Sequence, residues 1–169
     1  MESDNKVGFR NAERKDVGLI LKFIKGIADY EHMSDEVVAT EQLLEEWIFD
    51  KHAADVIFVM EDGIEVGFAL YFYNFSTFVG RAGLYLEDIF VWPEYRGKGY
   101  GKALFEKLAS IAVEKGCGRF EWVCLDWNEP SIRFYRSMGA RPMSDWTIYR
   151  LDGDALKQRA AAFIQRNNE

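Results

Sequence analysis

Between Asp55 and Val91 the chain holds three β-rich runs with no helix-length segment separating them, and this limits the possible folds more than any other feature. Residues 55–60 (Asp-Val-Ile-Phe-Val-Met) form the first run, and Glu61-Asp62-Gly63 turns it back into 64–73. After a loop containing Gly80, a third run covers 82–91. Asp-Gly between apolar runs signals a tight hairpin, because such a turn needs positive φ at its central residues. A meander of this kind belongs to neither a doubly wound parallel sheet nor a helical bundle.

Helical patterns flank the meander. Leu19, Ile20, Phe23, Ile24, Ile27 and Tyr30 recur at helical spacing, so an amphipathic helix is predicted over about 14–31. Thr40, with Glu41, Glu45 and Glu46 behind it, opens a second helix ending near Phe49. Pro93 stops the third β-run, and a helix over about 100–115 buries Leu104, Leu108, Ile111 and Ala112 before Gly116 ends it. Short strands are expected at 7–10, 119–126 and 146–151. Asn128 caps a short helix that tolerates Pro130 in its first turn and ends at Gly139, and a terminal helix covers 153–166. The order β-α-α-β-β-β-α-β-α-β implies an α/β (mixed α+β) fold in which helices cover both faces of a mixed sheet. With 169 residues, no internal repeat and no linker, 1–169 reads as one domain.

The composition, 49% hydrophobic and 29% charged, is that of a soluble globular protein and excludes wholesale disorder. A net charge of −7 argues against binding to nucleic acid or an anionic membrane surface. No apolar run approaches the ~20 residues that span a bilayer. The opening Met-Glu-Ser-Asp-Asn is the opposite of a secretory signal. Cys117 and Cys124 form no C-x-x-C pair, which fits a reducing compartment and a cytoplasmic location. His32 and His52 are separated by twenty residues without a cysteine partner, so no metal is expected. Residues 29–50 carry eight acids and no Lys or Arg, whereas 94–107 carry Arg96, Lys98, Lys102 and Lys107. Two readings follow: solvated surface on both segments, or a site with a cation-binding end and an anion-binding end. Charge alone does not choose between them.

The segment Arg96-Gly97-Lys98-Gly99-Tyr100-Gly101 lies between a strand and a helix, where bare backbone and a helix start can cradle a pyrophosphate. It fails the Walker pattern, because Ala103 follows Lys102 and Arg96 stands where the first glycine belongs. It also fails the dinucleotide fingerprint, its spacing being G-x-G-x-G. The pattern R-x-x-G-x-G after Glu87-Asp88-Ile89-Phe90-Val91 resembles the acetyl-CoA loop of the GNAT superfamily of N-acetyltransferases. Trp127-Asn128-Glu129-Pro130-Ser131-Ile132-Arg133-Phe134-Tyr135, followed by Gly139-Ala140, is similar to that superfamily's other block. With Ala28-Asp29-Tyr30-Glu31 and Leu84-Tyr85-Leu86-Glu87-Asp88, the resemblance narrows to the diamine acetyltransferases, the spermidine/spermine N1- and thialysine Nε-acetyltransferase group. It runs over about 7–151, leaving 152–169 as a helical tail.

The resemblance implies a mostly antiparallel mixed sheet with splayed central strands, acetyl-CoA as cosubstrate, a small cationic amine as acceptor and a homodimer. It assigns Tyr135 as the acid for the leaving thiolate and Glu87 as the base acting through water. Ile89, Phe90, Val91, Arg96, Gly97, Lys98, Gly99, Tyr100, Gly101, Lys102, Asn128, Glu129, Pro130, Ser131 and Tyr135 would contact the cosubstrate. Tyr30, Glu31, Glu87, Asp88 and Trp127 would contact the acceptor. Glu87 and Asp88 are neighbours on a strand, so both can face one cleft only if the strand bulges. Whether the acceptor is a polyamine, thialysine or another amine stays open, as does a CoA-binding regulator without catalysis.

Overall fold

A computed structural model describes residues 7–167; the polar opening Met-Glu-Ser-Asp-Asn lies outside these. The chain falls into two compact units, the first ending at Val123 and the second beginning at Cys124.

The first unit is built on a five-stranded sheet: β1 (Gly8–Asn11), β2 (Asp55–Glu61), β3 (Ile64–Ser76), β4 (Arg81–Val91) and β5 (Phe120–Trp122), in that spatial order. β1 through β4 pair antiparallel, and β5 joins β4 in parallel. The hairpin predicted at Asp62-Gly63 is a two-residue turn, with Glu61 opposite Ile64 and both turn residues at positive φ. On β2 the side chains alternate: Val56 and Phe58 enter one core, Ile57 and Val59 the other. Helix α1 (Val17–Tyr30) covers the first of these faces through Ile20, Phe23 and Ile27. There Phe23 stacks on Phe68 at 4.9 Å and on Trp92 at 4.8 Å between ring centroids. Helix α3 (Tyr100–Glu114) covers the other face with Leu104, Leu108 and Ala112. Helices on both faces of a mixed sheet are what the periodicity predicted, and the mostly antiparallel pairing is what the resemblance implied.

The second predicted helix is only one α-turn, α2 (Glu41–Leu44), whose Thr40 Oγ1 accepts from the Leu43 N–H at 3.2 Å. It widens into a π-helical turn over Glu45–Asp50. In the second unit, α4 (Glu129–Ser137) and α5 (Gly153–Asn167) match the predicted helices.

Two strand expectations need correction. The strand predicted at 119–126 is reduced to β5, because its ladder with β4 covers only Leu84–Leu86 against Phe120–Trp122. The strand predicted at 146–151 does not form: Trp146 through Arg150 are irregular and exposed. Its apolar pattern fits a pleated surface, but no strand among the described residues pairs with it, and β-propensity expresses itself only through such pairing.

Candidate active site

The glycine segment leaves β4 through a short turn at Pro93–Tyr95. Gly97 and Gly99 adopt φ of +77° and +88°, the left-handed region that side chains disfavour. Helix α3 then starts with the Ala103 N–H donating to the Gly99 carbonyl at 2.9 Å, and no side chain caps it. The N–H groups of Tyr100, Gly101 and Lys102 therefore lie in a first turn that offers them no helical carbonyl. A Cβ added at Gly97 or Gly99 would meet nothing within 4 Å, and one at Gly101 would meet only Val91 Cγ2, at 4.0 Å. Gly101 has no positive φ and no close neighbour, so nothing inside the chain requires glycine there. Bare, open backbone at a helix start fits an anionic diphosphate.

The side chains of this segment point elsewhere. Arg96 Nε donates to the Val91 carbonyl at 2.9 Å, and its guanidinium lies 5.2 Å from the Tyr30 ring centroid and 5.1 Å from that of Phe90. The structure thus joins Arg96 to Tyr30, two residues the sequence assigned to opposite ends of the site. Lys98 Nζ sits 3.1 Å from Glu61 Oε1, and exposed Lys102 lies 3.8 Å from Glu106. Tyr100 is buried, and its hydroxyl donates to Glu61 Oε1 at 2.6 Å. Burial and that carboxylate push the Tyr100 phenol up to about 12.

β4 bulges at the acids. Leu70 of β3 pairs with Asp88 and Tyr71 pairs with Leu86, so Glu87 is the extra residue. Side-chain parity records the same event. Leu84 and Leu86 pack toward α3 before the bulge, whereas Ile89 and Val91 do so after it. Asp88, two residues from Phe90 and opposite Leu70, therefore faces the α1 side, and Glu87, following Leu86, takes that side too. This meets the condition set by their adjacency. Exposed Glu87 is in electrostatic reach of half-buried Asp88. Burial first, then the charges of Glu87 and Glu31, push the Asp88 carboxyl up to about 7. Past Leu86 the ladder with β5 ends, which leaves the 89–91 edge of β4 outside it.

At the C-terminal end of α1, half-buried Tyr30 meets Arg96, and burial raises the Glu31 carboxyl above the usual range. Of the eight acids in 29–50, Glu31 is the one that reaches Asp88. Glu45 and Asp50 pair with Arg14, Glu46 pairs with Lys51, and Asp29 accepts from Ser34. For the later part of the run, the solvated-surface reading holds. Among the described residues, no group of three or more His, Cys, Asp or Glu could hold a metal ion, and no helix is long and apolar enough to cross a membrane.

The second unit carries the remaining candidates. Asn128 is buried and caps α4, its Oδ1 accepting from the Ser131 N–H at 3.4 Å, with Glu129 and Pro130 in the first turn. Tyr135 is half-buried on α4, four residues after Ser131, its ring 5.4 Å from that of Phe134. Trp127, just before the cap, is 52% exposed. Sequence reasoning missed Glu61, because no motif links a residue before a hairpin turn to positions 98 and 100.

Comparison with known proteins identifies the family. The family model described as "Acetyltransferase (GNAT) family" matches residues 24–140. Thialysine N-epsilon-acetyltransferase of Sus scrofa is 36% identical over 163 residues, covering 89% of this chain and 95% of the relative. L-ornithine N5-acetyltransferase of Arabidopsis thaliana is 45% identical over 98 residues, covering 58% and 43% respectively. The solved structure of an integron cassette protein from the mobile metagenome of V. cholerae superposes with a TM-score of 0.76 at 30% identity, over 91% of this chain and 97% of that one. A family match over more than two-thirds of the chain, on the segment that holds the glycine loop and the bulged acids, makes this protein an acyltransferase of the GNAT acetyltransferase family.

Proposed function

We propose that this chain transfers the acetyl group of acetyl-CoA to a primary amine of a small cationic acceptor, of the polyamine or thialysine type. The observation that carries the reading is the bulge, which puts Glu87 and Asp88 on one face of β4, with Asp88 in electrostatic reach of both Glu87 and Glu31. A cluster of carboxylates held together against their own repulsion is stabilised by an ammonium ligand. Relatives named for thialysine Nε and ornithine N5 point to the same class of acceptor, an amine at the end of a flexible chain.

Acetyl-CoA would supply the activated acyl carbon as a thioester. Its diphosphate would rest on the N–H groups of 97–102, and its pantetheine arm along the Ile89–Val91 edge of β4. The acceptor attacks only as a neutral amine, so a proton must leave an ammonium whose ordinary pKa is about 10. Glu87 takes that proton through water, and Asp88, which titrates near neutral pH, holds the acceptor's charge and shares the proton. Tyr30 lines the acceptor end as an aromatic contact, with Glu31 as a further carboxylate. The resemblance gives Tyr135 the acid role, Asn128 through Ser131 the cosubstrate, Trp127 the acceptor, and the protein a homodimeric state, while its cysteine usage supports a cytoplasmic location.

A panel of amines with fixed acetyl-CoA tests the reading. Diamines, thialysine and ornithine should exceed a monoamine of equal length, which lacks the second cationic group, in kcat/KM by about 10-fold or more. The advantage should shrink with salt, since exposed charge is screened over ~8–10 Å. Equal kcat/KM for acceptors with and without the second cationic group would remove the basis of the proposal.

A further inference from the structure

We infer that Glu61, at the end of β2, is the positioning residue that holds the glycine loop ready for its anion, an inference resting on the acetyl-CoA reading above. The side chain sits just before the Asp62-Gly63 turn and is 16% exposed. One carboxylate restrains both neighbours of Gly99. Tyr100 donates its hydroxyl to Oε1 at 2.6 Å, and Lys98 Nζ lies 3.1 Å from Oε1 and 3.4 Å from Oε2. Lys98 is further held 5.1 Å from the centroid of the Tyr95 ring. Tyr100 is buried at the first position of α3, so its ring is fixed by packing while its hydroxyl is fixed by Glu61.

The loop needs such a restraint. Gly97 and Gly99 supply left-handed turns at high entropic cost, and α3 begins without a capping side chain. Left alone, a segment with three glycines in five residues would sample many conformations, and an anion would have to order it on binding. Tying 98 and 100 to the hairpin fixes the peptide units on both sides of Gly99 before any ligand arrives. The arrangement also manages charge. A bare carboxylate beside a phosphate site would repel the ligand, and here the Lys98 ammonium offsets it while the Tyr100 hydroxyl proton satisfies it. Those two partners, the Tyr100 hydroxyl first and then Lys98, hold the Glu61 carboxyl below the usual range.

The test measures the CoA dissociation constant by titration calorimetry on the full chain, together with steady-state kinetics, for Glu61→Ala, Glu61→Gln, Tyr100→Phe and Gly101→Leu. Glu61→Ala should raise the CoA Kd and the acetyl-CoA KM by about 10-fold or more, the effect of losing one charge-assisted hydrogen bond. Its kcat at saturating acetyl-CoA should stay within about twofold. Glu61→Gln keeps an acceptor for Tyr100 and should recover most of the affinity. Tyr100→Phe should weaken CoA in the same direction, and combining it with Glu61→Ala should add little, because both remove one restraint. Tighter CoA binding in both Glu61 variants would show that the carboxylate only repels the ligand, and would overturn the inference. So would a fall in kcat at unchanged KM. If Gly101→Leu weakens CoA and Glu61→Ala does not, the positioning role alone fails. If Gly101→Leu leaves CoA binding unchanged, the loop is not the cosubstrate site and both readings fall.

Discussion

Replacing Asp88 by Asn should make the protein more stable and less active, with a pH dependence that identifies the cause. An ordinary aspartate titrates near 3.8, and Asp88 is pushed up to about 7. Between those values the folded chain keeps a proton that the unfolded chain has released. The folded state therefore binds more protons, and stability falls as pH rises through this window, the penalty being complete above about pH 7. At about 1.4 kcal/mol per pH unit, the full penalty is on the order of 4 kcal/mol at most. Asparagine has nearly the same shape and cannot ionise, so its advantage over the wild type should grow by about 2–3 kcal/mol between pH 5 and pH 8. For a chain of this length that is a gain of several degrees in Tm. Because Glu31 and Glu87 act on the same carboxyl, the window belongs to the cluster, and the substitution relieves all its members. Urea unfolding of both proteins at pH 5 and pH 8 measures the effect. A stability difference that stays constant across that range would refute the reasoning, since packing changes do not titrate. In the same buffers, kcat/KM for a cationic diamine should fall at pH 8, where the wild-type cluster is charged and the variant's is depleted.

Two further outcomes are expected. Tyr135→Phe keeps the ring and removes the hydroxyl, so kcat and kcat/KM should fall together by roughly 10²–10⁴-fold, toward the lower end because water can protonate a thiolate; wild-type kcat would leave Tyr135 a packing residue. Asp16→Asn breaks the pair in which Arg10 reaches Asp16 at 2.7 Å, and should destabilise by about 1–3 kcal/mol, a buried-pair value reduced for the partial exposure of Arg10. Arg10 holds the Asp16 carboxyl below its usual range, so this contribution is fully present above about pH 4 and lost as pH falls through the lowered value; denaturation at pH 7 and pH 3 should show the effect of the substitution smaller at pH 3.

The legible parts of the fold were those written in local chemistry. Leu19 to Tyr30, Asp62-Gly63, Thr40 and Asn128 each specify a helix face, a turn or a cap from a few adjacent residues, and each stands where it was expected. The segment Trp146 to Leu151 is the opposite case. Its alternation is strand-like, but a strand exists only through a partner, and partner choice is a property of the whole chain. β5 stops at Trp122 for the same reason: its ladder ends where β4 bulges, although Val123 and Cys124 continue the β-rich pattern.

The candidate site divides along the same line. Gly97, Gly99 and Gly101 are visible as a glycine run between strand and helix, and Gly101 has neither a positive φ nor a close neighbour that would require glycine for the fold. The acids are visible as residues but not as a pair. Strict alternation would send Glu87 and Asp88 to opposite faces of β4, and only the register slip between Leu70 and Tyr71 brings them to one side. That slip depends on two strands at once, so no motif in either announces it. Arg96 shows the converse. Its place in the loop pattern points to a phosphate, yet its side chain returns to Val91, Phe90 and Tyr30, and Lys98 and Tyr100 are taken up by Glu61. With those contacts made inside the protein, the backbone N–H groups of the loop are what the proposed reading offers a diphosphate, and on the inference above a carboxylate on the neighbouring hairpin, outside the motif, holds their arrangement.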